Sequence, residues 1–309
     1  MADPVLHIKD GYFFEVPKAL WRQGYESLED VPDFLRSAHP NETVDSFNKA
    51  MDGKVLIPQP FGTLENLHDA KSGFCISKFM ILELVVATLL VVVFTRIARQ
   101  LQDGDSPRGK LWNFMEAILL YVRDNVARPA IGAHDADRFV PLLWTFFFFI
   151  LGCNLLGLVP WAGSATGSFS TTLALAGVVI CTTLVSGIAK FGVVGFWLNQ
   201  VPSMDLPLLL SPLKLLIFVV EVVGMFIKHA VLAVRLLANM VAGHLVLLGV
   251  LGLIATAATS DTGTWALITV IAVIGSTLFS CLELFVACLQ AYIFTFLSAL
   301  FIGAAVHRH

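Results

Sequence analysis

The sequence predicts an all-α polytopic membrane protein, with about three steep transmembrane helices, one interfacial amphipathic helix and a long tilted helical hairpin. Three observations carry that prediction. The 309-residue chain is 57% hydrophobic and 14% charged, whereas soluble domains are nearer a quarter charged. Several apolar runs exceed the ~18 residues that read as a membrane span. The runs are continuous, which excludes an outer-membrane barrel, whose strands alternate apolar and polar residues.

Residues 1–74 read as a polar, acidic extension holding 7 Lys/Arg against 12 Asp/Glu. An amphipathic stretch covers residues 13–28, and Pro32, Pro40, Pro58 and Pro60 mark turns. The chain start carries Asp3, Lys9, Asp10, Glu15 and Lys18 and no apolar core, so no cleavable signal peptide is expected. The first span is read at residues 76–95. Arg96, Arg99, Arg108 and Lys110 follow it, which places that end in the cytoplasm and the acidic extension outside. Residues 75–309 then form the membrane domain.

Residues 111–126 mix Leu, Ile and Phe with Glu116, Arg123 and Asp124, a pattern suited to a helix lying on the cytoplasmic interface. A second span at 139–159 ends at Pro160 and Trp161, an interfacial anchor, and a third at 169–188 closes near Lys190 on the cytoplasmic side. Residues 206–257 contain no proline after Pro212. One straight helix of that length would measure roughly 78 Å at 1.5 Å per residue, against a hydrocarbon core of about 30 Å. The segment either breaks into two spans or lies strongly tilted. Residues 265–306 pose the same problem, and the polar run 259–264 joins the two. Two over-long apolar segments in succession favour a tilted hairpin over two ordinary ones.

The polar residues inside these segments carry the chemistry. Arg235 costs roughly 2.5–3.5 kcal/mol in a membrane helix on insertion scales and about 10–17 in simulations, and it cannot escape by losing its proton. Glu221, Lys228 and Arg235 are spaced by seven and form one slowly drifting stripe. Asn239 follows Arg235 at i+4 on the same face. His244, nine residues on, falls on the opposite face. In the last segment Ser276, Glu283 and Gln290 are also spaced by seven, with Tyr292 just beyond. An intramembrane carboxylate and an imidazole are the usual parts of a proton relay. Static ion pairs, Glu221 with Lys228 or Arg235 with Glu283, are the structural alternative. Six polar groups on two adjacent helices favour the relay. Glu83, alone near the start of the first span, reads as interfacial. Asn154 in the second span is open to either an interhelical hydrogen bond or a relay role.

Other function classes fit less well. Cys75, Cys153, Cys181, Cys281 and Cys288 are odd in number and contain no C-x-x-C pair, so neither a disulfide framework nor a zinc site is expected. An acidic front and a slightly basic remainder argue against nucleic acid. The turn at 104–110 begins like a phosphate-binding loop, but Leu111 stands where Ser or Thr must hold magnesium, and no strand precedes it. No cofactor is expected, and no nucleophile has an activating partner, so the chain reads as non-catalytic. A self-sufficient antiporter would show internal repeats and paired broken helices, and neither is evident.

The stretch Arg235-Leu-Leu-Ala-Asn239-Met-Val-Ala-Gly243-His244 resembles the signature of the subunit a family of F-type ATP synthases, R-L-x-x-N-M-x-A-G followed by E or H. Glu221 before the arginine and Glu283-Leu-Phe-Val-Ala-Cys-Leu-Gln290-Ala-Tyr in the last segment extend the likeness, which covers about residues 76–306. The resemblance implies a stator subunit with two proton half-channels facing a rotor ring of c subunits. Arg235 would face the ring carboxylate and separate the half-channels. Glu221, Asn154, Asn239, His244, Glu283 and Gln290 would carry or position protons. The implied partners are the c ring, the b subunits of the peripheral stalk, the rest of the ATP synthase complex and membrane lipid, in a bacterial cytoplasmic membrane. Many members carry Glu at the position of His244 and His at that of Glu283, so the pair reads as a compensated exchange. Asn154 matches the family position, whereas Gly157 replaces an acid found in some members. Residues 1–74 fall outside the likeness.

Overall fold

Among the described residues, five helices are long and apolar enough to cross a bilayer. The computed structural model describes residues 9–17, 19, 24–102, 109–159, 162–200, 211–258 and 261–307. Most of the turn at 104–110, the anchor Pro160 and Trp161, residues 206–210, part of the 13–28 stretch and part of the 259–264 connection lie outside them.

The extension is built from short elements. Strand β1 (Phe13–Glu15) pairs antiparallel with β2 (Lys54–Leu56), Phe13 opposite Leu56. The amphipathic stretch predicted at 13–28 therefore opens as a strand that buries Phe13. Helices α1 (Asp33–Ala38) and α2 (Val44–Met51) follow the first turn signals. With Tyr25 and Val31 they enclose a small core of Leu35, Phe47 and Met51. A hairpin joins β3 (Gly62–Leu64) to β4 (Ala70–Gly73).

Helix α3 (Lys78–Gln102) starts two residues after the predicted span and carries Arg96 and Arg99 within its last turns. Its first N–H groups, which no helix can satisfy internally, are bonded by the extension. The Lys78 amide donates to the Gly11 carbonyl at 2.8 Å, and the Phe79 amide to Asp10 Oδ1 at 3.3 Å. The Gln59 amide group reads both main-chain atoms of Ile76, at 2.7 and 2.9 Å.

The predicted interfacial helix is α4 (Lys110–Tyr121), which runs through a π-helical turn at Val122–Ala127 into α5 (Arg128–Ile131). The turn buries Val122, Val126 and Ala127, while Arg123 and Arg128 pair with Asp124 on the other side at 2.9 Å each. Helix α6 (Ala136–Gly157) is the second span and contains Pro141 in its interior. Helix α7 (Phe169–Asn199) extends the third span beyond its predicted end. Its backbone breaks at Gly192, whose φ of +74° suits a residue without Cβ.

The two long segments are helices α8 (Ser211–Ala257) and α9 (Thr262–Val306), of 47 and 45 residues. Each is a single helix, which removes the alternative of two shorter spans apiece. At 1.5 Å per residue they reach about 70 and 67 Å, so they fit a core of about 30 Å only when steeply inclined. Residues 262–264, assigned from sequence to the connection, form the first turn of α9. Asp261 caps it, accepting hydrogen bonds from the Gly263 and Thr264 amides at 3.2 Å each and from the Thr264 hydroxyl. These bonds hold the Asp261 carboxyl below the usual carboxylate range.

The chain divides into two units. One comprises Met1–Thr88, Cys153–Ser168 and Met240–Leu284, and the other Leu89–Gly152, Phe169–Asn239 and Phe285–His309. In the second, Val126, Ile131, Leu143, Ile150, Leu232, Leu236, Phe294 and Ile302 form one buried core that draws on α6, α8, α9 and the π-turn region. A Cβ on Gly303 would overlap the Ala130 carbonyl, so α9 and α5 approach backbone to backbone. The His307 imidazole meets the Ile131 carbonyl at 2.7 Å, and Asn199 donates to the His307 carbonyl at 3.0 Å.

Candidate functional site

In the unit that holds residues 169–239 and 285–309, α8 carries Glu221, Arg235 and Asn239, and α9 carries Gln290. The α8 and α9 segments run antiparallel here, because Met225 shares a cluster with Ala305 while His229, one turn on, packs on Phe301. Glu221 and Lys228 form an ion pair at 3.6 Å, with both side chains about half exposed. The helical stripe read from their spacing is thus a physical contact, and one of the two static pairs considered from sequence exists. Exposed pairs of this kind contribute about 0–1 kcal/mol.

Arg235 is half-buried, and Leu232 and Leu236 on the same helix are fully packed into the core. No hydrogen bond or ion pair joins Arg235 to a described residue. The leucines anchor this part of α8 in the core. Asn239 is half-buried one turn further along, and Gln290 is buried beside Ala291 and Phe294.

The other unit holds Asn154, His244 and Glu283. Asn154 is fully buried at the end of α6, and its Oδ1 accepts a hydrogen bond from the Thr166 hydroxyl at 2.7 Å. Thr166 in turn meets Ser164 Oγ at 3.1 Å. Of the two readings left open for Asn154, a hydrogen bond to another element is present, and it goes to the 3-10 turn Ala165–Gly167, ahead of α7. Neither Ser164 nor Thr166 was singled out from sequence. They sit in a Ser/Thr/Gly-rich loop with no periodicity to mark them. Beside them, a Cβ on Gly157 would lie 2.8 Å from Ser164 Oγ and 2.9 Å from Met240 Cε. A side chain at this position would require Ser164 and Met240 to shift.

Glu283 is 5% exposed, and neither carboxyl oxygen meets a hydrogen-bond partner among the described residues. It packs on Gly243 so closely that a Cβ there would overlap Oε1. His244 is the next residue, half-buried, and its Nε2 is likewise without a partner among the described residues. The glycine lets a carboxyl group settle against the main chain of one helix from the neighbouring one. An unsatisfied carboxylate in an apolar interior costs several kcal/mol, unless a proton or a donor reaches it. Glu83 is half-buried in the second turn of α3. No group of three or more His, Cys, Asp or Glu is arranged to hold a metal among the described residues.

Residues 80–303 match the protein family described as ATP synthase A chain. The chain is 38% identical over 304 residues to a protein named ATP synthase subunit a from Anaeromyxobacter sp. (strain Fw109-5), covering 98% of this chain and 70% of that protein. It is 37% identical over 274 residues to ATP synthase subunit a from Chloroherpeton thalassium, covering 87% of this chain and 78% of that one. A third relative of that name, from Anaeromyxobacter dehalogenans (strain 2CP-1), is 47% identical over 204 residues. That match covers 66% of this chain and half of the relative.

Proposed function

Because this chain belongs to the ATP synthase A chain family, we propose that it is the proton-translocating stator subunit of a rotary F-type ATP synthase in a bacterial cytoplasmic membrane. It forms two proton half-channels against a ring of c subunits, contacts the b subunits of the peripheral stalk and the surrounding lipid, and performs no chemistry of its own. Residues 75–309 are the membrane domain. Residues 1–74 lie on the non-cytoplasmic side, and the C-terminus lies in the cytoplasm.

The observation that carries this reading is Arg235. It is a permanent charge in an unbroken apolar helix with no hydrogen bond or ion pair to a described residue, as a residue reserved for a passing partner requires. The partner is a rotor carboxylate, which Arg235 keeps ionised as it arrives and which it bars from leaking protons between the half-channels. Glu221, Asn239 and Gln290 serve protons or orient Arg235 in one set of residues. Asn154, His244 and Glu283 serve in the other. Each elementary charge that crosses yields about 2.3 kcal/mol per 100 mV, and that energy drives the ring and, through it, ATP synthesis.

The test is Arg235→Ala in the assembled enzyme in inverted membrane vesicles. ATP-driven acidification is expected to vanish while the complex still assembles, and normal pumping would refute the role.

A further inference from the structure

His229 lies beside the residues assigned above but takes no part in that assignment. It is 4% exposed, packs on the Phe301 ring at 4.7 Å between centroids, and lies 2.8 Å from the Met225 carbonyl through Nδ1. A carbonyl only accepts, so this contact places the hydrogen of the neutral ring on Nδ1 and leaves Nε2 as an acceptor. Nε2 is buried and meets no hydrogen-bond partner among the described residues. The ring is therefore fixed on two sides, with one lone pair unused.

His229 lines a partly open cavity of about 60 Å³ between α7, α8 and α9. At roughly 10–15 Å³ for each water centre, that space admits a few water molecules. Its polar lining is Thr183 from α7, Gln200 just beyond the end of that helix, and Glu221 and Lys228 from α8, while α9 contributes only Phe301, Ala304 and Ala305. The Thr183 hydroxyl already donates to the Val179 carbonyl at 2.9 Å, so it offers the cavity a lone pair. The charged groups facing His229 are the paired Glu221 and Lys228.

We propose that His229 is a proton-carrying residue of this cavity and exchanges protons, through water held there, with Glu221. This rests on the stator reading given above. In the forward step a proton that the half-exposed Glu221 carboxylate has taken up from solvent leaves the carboxyl, crosses the intervening water and forms an N–H bond at Nε2, giving an imidazolium and restoring the carboxylate that pairs with Lys228. The proton departs from the same Nε2 to water, because Nδ1–H stays on Met225, and the neutral ring is restored. Imidazole suits the task because its charge changes within the physiological pH range. The fixed Nδ1 contact means the ring need not turn between cycles.

The experiment uses the complete ATP synthase in inverted vesicles, with ATP-driven proton uptake followed as the pH of the cytoplasmic face is varied. His229→Gln keeps a polar group of similar reach but cannot carry a proton. A several-fold loss of pumping is expected, together with loss of the part of the pH profile that the imidazole supplies, at unchanged content of the subunit in the membrane. Ala304→Leu fills the cavity and leaves the imidazole in place, and it is expected to slow pumping several-fold as well. Pumping at the unaltered rate and with the unaltered pH profile in His229→Gln overturns the proposal. If that variant does not assemble, unimpaired pumping in Ala304→Leu does so. Arg235→Ala in parallel separates the two readings. If it is inactive while the His229 and Ala304 variants pump normally, only this inference fails. If Arg235→Ala pumps normally, the stator reading itself fails.

Discussion

Gly243 and Glu283 share one space in which an added atom would force the Glu283 side chain to shift, and the consequence can be measured. In Gly243→Ala the new methyl overlaps Oε1 of Glu283, and overpacking of this kind costs about 1–3 kcal/mol. The expected result is less assembled subunit and weaker pumping. Glu283→Asp in the same chain withdraws the carboxyl by one methylene and should recover part of both. A double variant no better than Gly243→Ala alone would show that the contact is unimportant. The proposed pairing of His244 with Glu283 has its own test. Exchanging them, His244→Glu with Glu283→His, should retain more ATP-driven pumping than either single change, and equality with the worse single variant would separate the two residues. Arg235, Glu221 and Glu283 stand out in the sequence because charge in an apolar run is costly wherever the chain folds. Ser164, Thr166 and the tight fit at Gly157 do not stand out, because small polar residues in a loop gain meaning only from what packs on them.

At the scale of elements, continuous apolar runs fixed the existence and order of the spans, since crossing a bilayer demands length and hydrophobicity before any contact is made. Their ends were less legible. Helix α7 runs past its predicted end to a break at Gly192, and replacing that glycine by alanine at φ +74° should cost about 1–2 kcal/mol, read as a lower thermal midpoint of the complex. Lys190, read from sequence as a topological marker, hydrogen-bonds Asp135 at 2.5 Å and holds its carboxyl below the ordinary carboxylate range. A depressed carboxyl contributes stability that is fully present above its unfolded pKa, near 3.8, and is lost as pH falls through the lower folded value. Asp135→Asn should therefore lower stability slightly at neutral pH, by no more than the roughly 0–1 kcal/mol typical of an exposed pair, read as a small drop in thermal midpoint. The gap between the two proteins should close on acidification below that value. A gap that persisted in acid would assign the effect to something other than the charge.

On the scale of the whole molecule, the acidic extension is fastened to the first membrane helix. Gln59 holds Ile76 by two hydrogen bonds, and Gly11 and Asp10 satisfy the opening amides of α3. Each hydrogen bond contributes about 0.5–1.5 kcal/mol net, so Gln59→Ala should loosen the junction by about 1–3 kcal/mol. Faster proteolysis or amide exchange around residues 57–78, with ATP-driven pumping retained, is the expected outcome. Unchanged protection would mean that the main-chain bonds suffice. Composition alone marked this extension as polar, and its two small two-stranded sheets and small core could not be read from that.

The sequence by itself determined a helical membrane protein, its family and the identity of the expensive residues. Hydrophobic length and the cost of intramembrane charge act residue by residue, without reference to any fold. Only the tertiary structure decided that α8 and α9 each remain a single helix, that Glu283 settles on Gly243, and that His229 closes a polar cavity with Glu221 and Lys228. Those outcomes depend on which faces of largely apolar helices meet, and away from their few polar residues those faces look alike in the sequence.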